Sequence, residues 1–205
     1  SGCSMGLMGS LVSIGSVALQ TAINTFGTDI IVAHTAARKV TELFMLSFSV
    51  LGTTMATFCG QNLGAGEIGR IKKGIKTAIG MAWIWCIGVI IVTNLFAPAM
   101  ISMLTSSTKT EVVDTASLYL RINTTLYFVT AMITIIRNSM QGIGDRVTPI
   151  ISSMIELVGK VVIVIVLVPK LGYMGVIISE PIVWVLMVIP LIVQIIRTPI
   201  LKEKA

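Results

Sequence analysis

Six long apolar stretches dominate this chain of 205 residues and restrict what it can fold into. A helix needs about 20 consecutive apolar residues to cross the hydrocarbon core of a bilayer, and each stretch reaches that length. The stretches are continuous and lack the two-residue alternation of barrel strands, so we predict an all-α membrane protein with six transmembrane helices. The predicted spans are Met5–Phe26, Ile30–Phe58, Lys73–Phe96, Val112–Met140, Thr148–Val168 and Met174–Ile196.

Composition supports a membrane protein over a soluble one. Hydrophobic residues make up 55% of the chain and charged residues only 12%, with a mean hydropathy of +0.95, whereas a soluble domain carries about 25% charged residues. The net charge of +6 does not indicate nucleic-acid binding, because the basic residues flank apolar spans and are not interleaved with aromatic residues. The chain has one histidine, three widely spaced cysteines and no catalytic motif, so we expect no enzyme activity, metal site or cofactor.

Basic residues are distributed unequally between the two sets of connections. The connections after the second and fourth spans, with the C-terminal tail, hold eight of them, and the connections after the first, third and fifth spans hold two. Because cytoplasmic loops are enriched in Lys and Arg, we expect both chain ends in the cytoplasm of a multi-pass plasma-membrane protein. The eight are Arg70, Lys72, Lys73, Lys76, Arg146, Arg197, Lys202 and Lys204, and the two are Lys109 and Lys170.

The chain begins at Ser1 without an initiator methionine and enters an apolar stretch almost at once. A signal peptide would need a basic segment first. We therefore expect residues 1–205 to be a single six-helix lobe cut from a longer protein.

Polar side chains recur along one face of the first and fourth spans. Each is costly in lipid and normally faces protein or water, so two interpretations stay open: hydrogen bonds between helices, and a wall that lines a wet cavity. Two stripes of nearly full span length favour the cavity. The predicted lining residues are Gln20, Asn24, Asn123, Tyr127, Thr130 and Thr134.

Charged residues inside the spans occur in pairs of opposite sign. Glu156 and Lys160 lie one turn apart near the middle of the fifth span, and Arg38 and Glu42 have the same spacing in the second. Structural pairing is the simpler interpretation. The alternative is an ion or proton site at Glu156, with Lys160 adjusting its affinity, because transporters bind coupling ions near the bilayer midplane. Glu180 precedes a proline that should kink the sixth span.

Three connections carry local predictions. The segment Gly64–Gly69 matches the G-x-G-x-x-G spelling of a dinucleotide loop, but it follows a membrane span where that loop needs a strand, so a tight turn is favoured. Ala97–Glu111 is apolar enough to form a short helix along the outer interface. Pro169–Tyr173 is predicted to be a tight turn.

Two glycine-rich corner motifs make the chain similar to a known family. The second span contains Ala36-Ala37 and ends in G-Q-N-L-G-A-G at Gly60–Gly66; the fourth span is followed by Q-G-I-G-D at Gln141–Asp145 and by Pro149. At this spacing the motifs resemble the C-terminal half of a multidrug and toxic compound extrusion (MATE) transporter. The corner residues singled out are Gly60, Gln61, Gly64, Gln141 and Gly144.

That resemblance implies half of a twelve-helix transporter, in which two six-helix lobes enclose a cavity that opens alternately to each side. It implies export of small amphipathic organic cations in exchange for Na⁺ or H⁺, with membrane lipid and an N-terminal lobe as partners. One branch of the family carries coupling carboxylates in the first and fourth spans of this lobe. Here those spans have Gln20, Asn24, Asn123 and Tyr127 instead, which favours the branch that uses an aspartate in the other lobe.

Two alternatives remain at this stage. One is a lipid-linked oligosaccharide flippase of the same superfamily, which should present a strongly cationic cavity. The other is a membrane interaction module without transport activity, in which the polar stripes serve only assembly.

Overall fold

The computed structural model describes residues 2–105 and 109–199, and this part of the chain is helical without any strand. A 3-10 helix, Asn24–Phe26, follows the first α-helix. The α-helices are α1 (Gly2–Ile23), α2 (Thr28–Gly64), α3 (Ile68–Leu104), α4 (Thr110–Thr125), α5 (Tyr127–Gly142), α6 (Val147–Val166), α7 (Val168–Leu171) and α8 (Tyr173–Arg197).

The six predicted spans correspond to α1, α2, α3, the pair α4 and α5, α6, and α8. Within the described residues, α2, α3, α6 and α8 are each long and apolar enough to cross a membrane, and α4 with α5 adds a fifth span if the bent pair counts as one. The 22 residues of α1 give a length of about 33 Å, which also suffices for the hydrocarbon core. The prediction of an all-α membrane fold is confirmed.

The fourth span differs from a single tilted helix. It breaks at Leu126, and α4 and α5 meet there at an angle of 53°. The break explains why the apolar stretch was too long for one straight crossing, since a bent pair of helices takes up more chain than a straight helix.

The glycine-rich interval between the second and third spans is shorter than the sequence indicates. α2 continues to Gly64 and α3 starts at Ile68, so only three residues form the turn, with Gly66 at a φ of 74°. Helices precede and follow this turn, and the dinucleotide-loop reading of Gly64–Gly69 therefore has no structural support.

Two connections on the opposite side also differ from expectation. The predicted separate interfacial helix at Ala97–Glu111 is wrong, because α3 runs on through Pro98 to Leu104; residues 106–108 lie outside the described part. The predicted turn at Pro169–Tyr173 includes most of α7, a single helical turn, and Gly172 with a φ of 57°.

The bundle has two ends that are used below. The corner end is where α2 meets α3 and α5 meets α6; the opposite end holds the 3-10 helix and α7. α1 packs along α6, α2 packs against α3, α4 and α5, and α8 packs against α5 and α6. At the opposite end the Lys109 ammonium contacts both carboxylate oxygens of Asp29, at 2.9 and 2.7 Å, and so links the starts of α2 and α4.

The apolar core is divided into two clusters by depth. On α2 the cluster nearer the opposite end stops at Val40, and the cluster nearer the corner end begins at Phe48. On α8 the same division falls between Ile177 and Val183. On α8 the residues between the two clusters include the buried Ser179 and Glu180, which positions a polar layer near mid-depth.

Candidate functional site

The polar layer between the two apolar clusters contains buried groups from α2, α4 and α8. Six of its seven members are buried and Arg38 is partly exposed; the members on α2 lie among or next to the last residues of the cluster nearer the opposite end. The layer comprises His34, Arg38, Thr41, Asn123, Thr124, Ser179 and Glu180.

Glu180 is at the centre of this layer and is held from two sides. Its Oε1 accepts a hydrogen bond from Nη1 of Arg38 at 2.8 Å, and its Oε2 accepts one from the Tyr119 hydroxyl at 2.9 Å. The side chain of Glu180 is 8% exposed and that of Arg38 37%. The second guanidinium nitrogen of Arg38 lies 3.7 Å from Glu42, so this cation stands between a buried and an exposed carboxylate.

Histidine 34 extends the layer toward the opposite end. Its Nδ1 lies 3.0 Å from the Tyr173 hydroxyl, and its ring meets that of Tyr119 edge to face at 5.2 Å between centroids.

The predicted ion pair between Arg38 and Glu42 exists, but the shorter and more buried contact of Arg38 is with Glu180. That carboxylate comes from a helix 142 residues away in sequence.

A small cavity of about 60 Å³ lies beside this layer, between α1, α2 and α8. It is large enough for ordered water. Its lining residues are Ser16, Leu19, Gln20, Ile23, His34, Arg38 and Glu180.

The second charge cluster surrounds Glu156 on α6. Lys160 donates to its Oε1 at 2.9 Å, and Arg137 of α5 lies 3.7 Å from its Oε2 and donates to the Ser152 hydroxyl at 3.0 Å. Lys160 also lies 3.5 Å from the hydroxyl of Ser16, a residue that lines the small cavity. Glu156 thus has two cationic neighbours, of which the sequence analysis identified only Lys160.

The predicted lining residues fall into two groups. Gln20 of α1 and Asn24 of the 3-10 helix are exposed, and the Gln20 amide donates to the Asn24 side-chain oxygen at 2.9 Å. Asn123 and Tyr127 are wholly buried inside the lobe and do not reach its surface. Asn123 instead donates to the Ile177 carbonyl at 3.2 Å and joins α4 to α8.

Thr130 and Thr134 of α5 lie between these two groups in exposure. Both are half-buried, and the methyl group of Thr134 lies beside Gly52 of α2. A methyl group added at Gly52 would come within 2.9 Å of that side chain. The polar face of α5 therefore packs closely on α2, which fits the interpretation of interhelical contact better than that of a cavity wall.

A polar stripe that the sequence analysis missed runs along almost the whole length of α2. Its members lie three, four or seven residues apart, so they share one helical face, and all are exposed on the lobe. Polar residues in a membrane helix normally face water or protein. The α2 stripe consists of Thr35, Lys39, Glu42, Ser49, Thr53, Thr57 and Gln61.

Three hydroxyl groups of the α2 stripe donate their protons within the helix and not toward the exposed face. Thr35, Thr53 and Thr57 donate their protons to carbonyl groups of their own helix, at distances between 2.7 and 3.3 Å. Their oxygen lone pairs remain available on the exposed face. Thr53, Thr57 and Gln61 also line an open depression of about 440 Å³ near the corner end. The stripe therefore combines acceptor oxygens with the charged side chains of Lys39 and Glu42.

The two corner motifs lie side by side. A methyl group added at Gly60 would come within 3.3 Å of the Gly142 carbonyl oxygen, so the motifs meet where α2 crosses α5. Gly64 ends α2, and Gly144 has a φ of 92° that suits glycine. Gln61 is exposed and Gln141 is half-buried.

Asp145 completes the second corner by capping α6. Its Oδ1 accepts hydrogen bonds from the backbone N–H groups of Val147 and Thr148, each at 3.0 Å, and its Oδ2 accepts one from the Thr148 hydroxyl at 2.6 Å. These contacts satisfy N–H groups that a helix start leaves unpaired.

Comparison with known proteins gives a family and a fold. The MatE family pattern matches residues 5–167. The chain is also 24% identical over 149 residues to the probable multidrug resistance protein YoeA of Bacillus subtilis (strain 168), which covers 73% of this chain and 32% of that protein.

Several solved structures superpose on the lobe. A MATE in complex with MaL6 matches with a TM-score of 0.89 and 22% identity over 100% of this chain and 47% of its own. A MOP superfamily transporter from Pyrococcus furiosus matches with a TM-score of 0.88 and 22% identity over 99% of this chain and 46% of its own. A reverse polarity of the binding pocket is described for that transporter. At these identities the likeness shows the fold alone. The chain spans just under half of these structures and about a third of the curated relative.

Proposed function

The chain belongs to the MatE family, a transporter family, and from that premise we propose that it forms the C-terminal lobe of a secondary active exporter. The proposed substrates are small amphipathic organic cations, expelled in exchange for Na⁺ or H⁺, and the proposed partner is an N-terminal lobe of the same transporter. Transport would follow from the two lobes rocking against each other around a central cavity.

The α2 stripe is the observation that carries this proposal. It leaves acceptor oxygens exposed along a helix of 37 residues in a protein whose other outward side chains are largely apolar. Such a face is unsuited to lipid and suited to a wet cavity beside a second lobe. The acceptor oxygens favour substrates that donate hydrogen bonds, and the charges of Lys39 and Glu42 in the same stripe offset each other.

Two buried carboxylates are the candidates for coupling to a small cation. Glu156, with Lys160 as its neighbour, was the first choice from the sequence and is held by two cations. Glu180 borders the small cavity, which also receives Gln20, and its cationic contact within the described residues is the partly exposed Arg38. A cation or proton that reached Glu180 through this cavity would compete with Arg38, which has Glu42 as a second carboxylate neighbour.

The flippase alternative receives less support from the charges in the lobe. The described structure pairs Arg38 with Glu180, whereas Glu156 is shared by Lys160 and Arg137, so a single positive charge is left over in these two clusters. An anionic pyrophosphate group would need cations that remain available to it.

The test is efflux of a fluorescent organic cation from vesicles that contain the full-length protein, driven by a Na⁺ or H⁺ gradient. We expect gradient-driven efflux in the unaltered protein and loss of its gradient dependence in Glu180→Gln or Glu156→Gln. Glu67→Gln is the matched control, because Glu67 is an exposed carboxylate in the turn between α2 and α3.

Absence of efflux from the unaltered, correctly folded protein would contradict the exporter proposal. Efflux that keeps its gradient dependence in both buried variants would place the coupling group in the other lobe. That outcome would leave the exporter proposal intact and remove these two residues from it.

A further inference from the structure

An apolar groove of about 500 Å³ lies on the surface between α2 and α3, toward the corner end. Its α2 wall contains Leu51, Met55 and Phe58, and its α3 wall contains Ala78 and Met81. The groove is wide enough for a hydrocarbon chain and lies at the level of the membrane spans.

Two basic side chains, Arg70 and Lys73, also line this groove. They belong to the first two turns of α3, so they lie at the end of the groove nearest the corner turn. Both are exposed, and neither makes an ion pair with any of the described residues.

The placement of these charges is unfavourable within the lobe itself. Cations stabilise the C-terminal end of a helix and destabilise its N-terminal end. α2 has no basic residue in its last turn, whereas Arg70 and Lys73 occupy the start of α3. Basic residues at the end of α2 would have satisfied the positive-inside tendency equally well. That tendency therefore does not explain why Arg70 and Lys73 lie beside the groove, whereas an anionic partner in the groove would.

We propose that the groove binds one anionic phospholipid of the adjacent leaflet. Its phosphate contacts Arg70 and Lys73, and one acyl chain lies along the apolar walls between α2 and α3. Basic pockets between transmembrane helices recognise anionic headgroups in this way. A free phosphate ion would leave the apolar part of the groove empty, and a zwitterionic lipid would bring no net charge to the two cations.

Gly74 shapes the groove from the α3 side. The Phe58 ring lies against its backbone, and a methyl group at position 74 would collide with that ring. Gly74→Ala therefore moves a wall of the groove without changing any charge, which provides a test that is independent of electrostatics.

The experiment measures binding of a fluorescent phosphatidylglycerol to the full-length protein in zwitterionic detergent micelles. We expect Arg70→Gln with Lys73→Gln to raise the dissociation constant roughly 30-fold, at about 1 kcal/mol for each basic residue. Lys76→Gln is the matched control for Lys73→Gln, because Lys76 is exposed one turn further along α3 and does not line the groove.

The proposal would be overturned by equal weakening in Lys73→Gln and Lys76→Gln, by equal binding of phosphatidylcholine, or by unchanged binding in Gly74→Ala. Glycerol phosphate lacks acyl chains. If it displaced the fluorescent lipid as well as phosphatidylglycerol does, the site would bind phosphate alone, which would also contradict the proposal. Because Arg70 and Lys73 are exposed and lie near the start of a helix, Arg70→Gln and Lys73→Gln should not lower the melting temperature of the protein.

Discussion

Glu180 and Arg38 form a pair whose two members differ in exposure, and this difference predicts an unequal response to mutation. Removing Arg38 leaves a carboxylate that is 8% exposed and that keeps the Tyr119 hydroxyl as its one side-chain hydrogen-bond donor among the described residues. Removing Glu180 leaves a guanidinium that is 37% exposed and 3.7 Å from Glu42. An unpaired buried charge is the more costly of the two.

We therefore predict that Arg38→Gln destabilises the lobe more than Glu180→Gln. The expected losses are about 3 kcal/mol for the first, as for other broken buried ion pairs, and about 1 kcal/mol for the second, as for a single hydrogen bond. The order of the melting temperatures of the two purified full-length variants measures this difference. A lower melting temperature for Glu180→Gln would contradict the assigned exposure of the pair.

Asp145 caps the start of α6 and also accepts a long hydrogen bond, at 3.5 Å, from the Gln194 side chain of α8. Its carboxylate accepts two backbone N–H groups and one hydroxyl. We predict that Asp145→Ala costs about 1 kcal/mol, whereas Asp145→Asn, which keeps an acceptor oxygen, costs less. Thermal melting of the two variants checks the order, and equal losses would show that charge matters more than capping.

At the scale of elements, α2 and α5 approach each other closely where they cross. Gly142 lies against the Ala56 carbonyl and the Cys59 side chain, so no methyl group fits there. Gly64, in the other corner motif, has no neighbour within 4 Å of a Cβ position and no positive φ.

We predict that Gly142→Ala separates α2 from α5 and costs about 1–3 kcal/mol, the usual effect of overpacking. Gly64→Ala should be neutral or slightly stabilising, because alanine favours the helix. Yield and melting temperature of the full-length variants compare the two. Equal yields and melting temperatures for Gly142→Ala and Gly64→Ala would mean that the corner motif Gln141–Asp145 is not a packing contact.

The sequence predicts the helices of this lobe better than it predicts their contacts. Length and hydropathy are local properties, so the spans were predictable. The break at Leu126 was not, because neither proline nor glycine lies beside it. The pairing of Arg38 with Glu180 joins α2 to α8, and a single sequence holds no information about which distant charges meet. The α2 stripe was predictable from its spacing, although Leu46 interrupts its polar pattern.

At the scale of the whole molecule, the lobe combines an acceptor-rich α2 face, a buried polar layer near mid-depth and a small cavity that reaches that layer. Transporters place their binding sites near the midplane between two lobes. The central claim is therefore that the exposed face of α2 is divided lengthwise into a polar strip beside water and an apolar strip beside lipid. Leu43 and Val50 lie on the apolar strip and are 63% and 64% exposed on the lobe.

Cysteine labelling along α2 tests this claim most directly. Single cysteines at positions 42, 49 and 53 of the α2 stripe, and at 43 and 50 of the apolar strip, would be introduced into full-length protein that lacks its native cysteines. A membrane-impermeant maleimide should label the first three positions rapidly and the last two slowly, although all five side chains are exposed on the isolated lobe. Equal labelling of both strips, or no labelling of either, would contradict a water-filled face on α2.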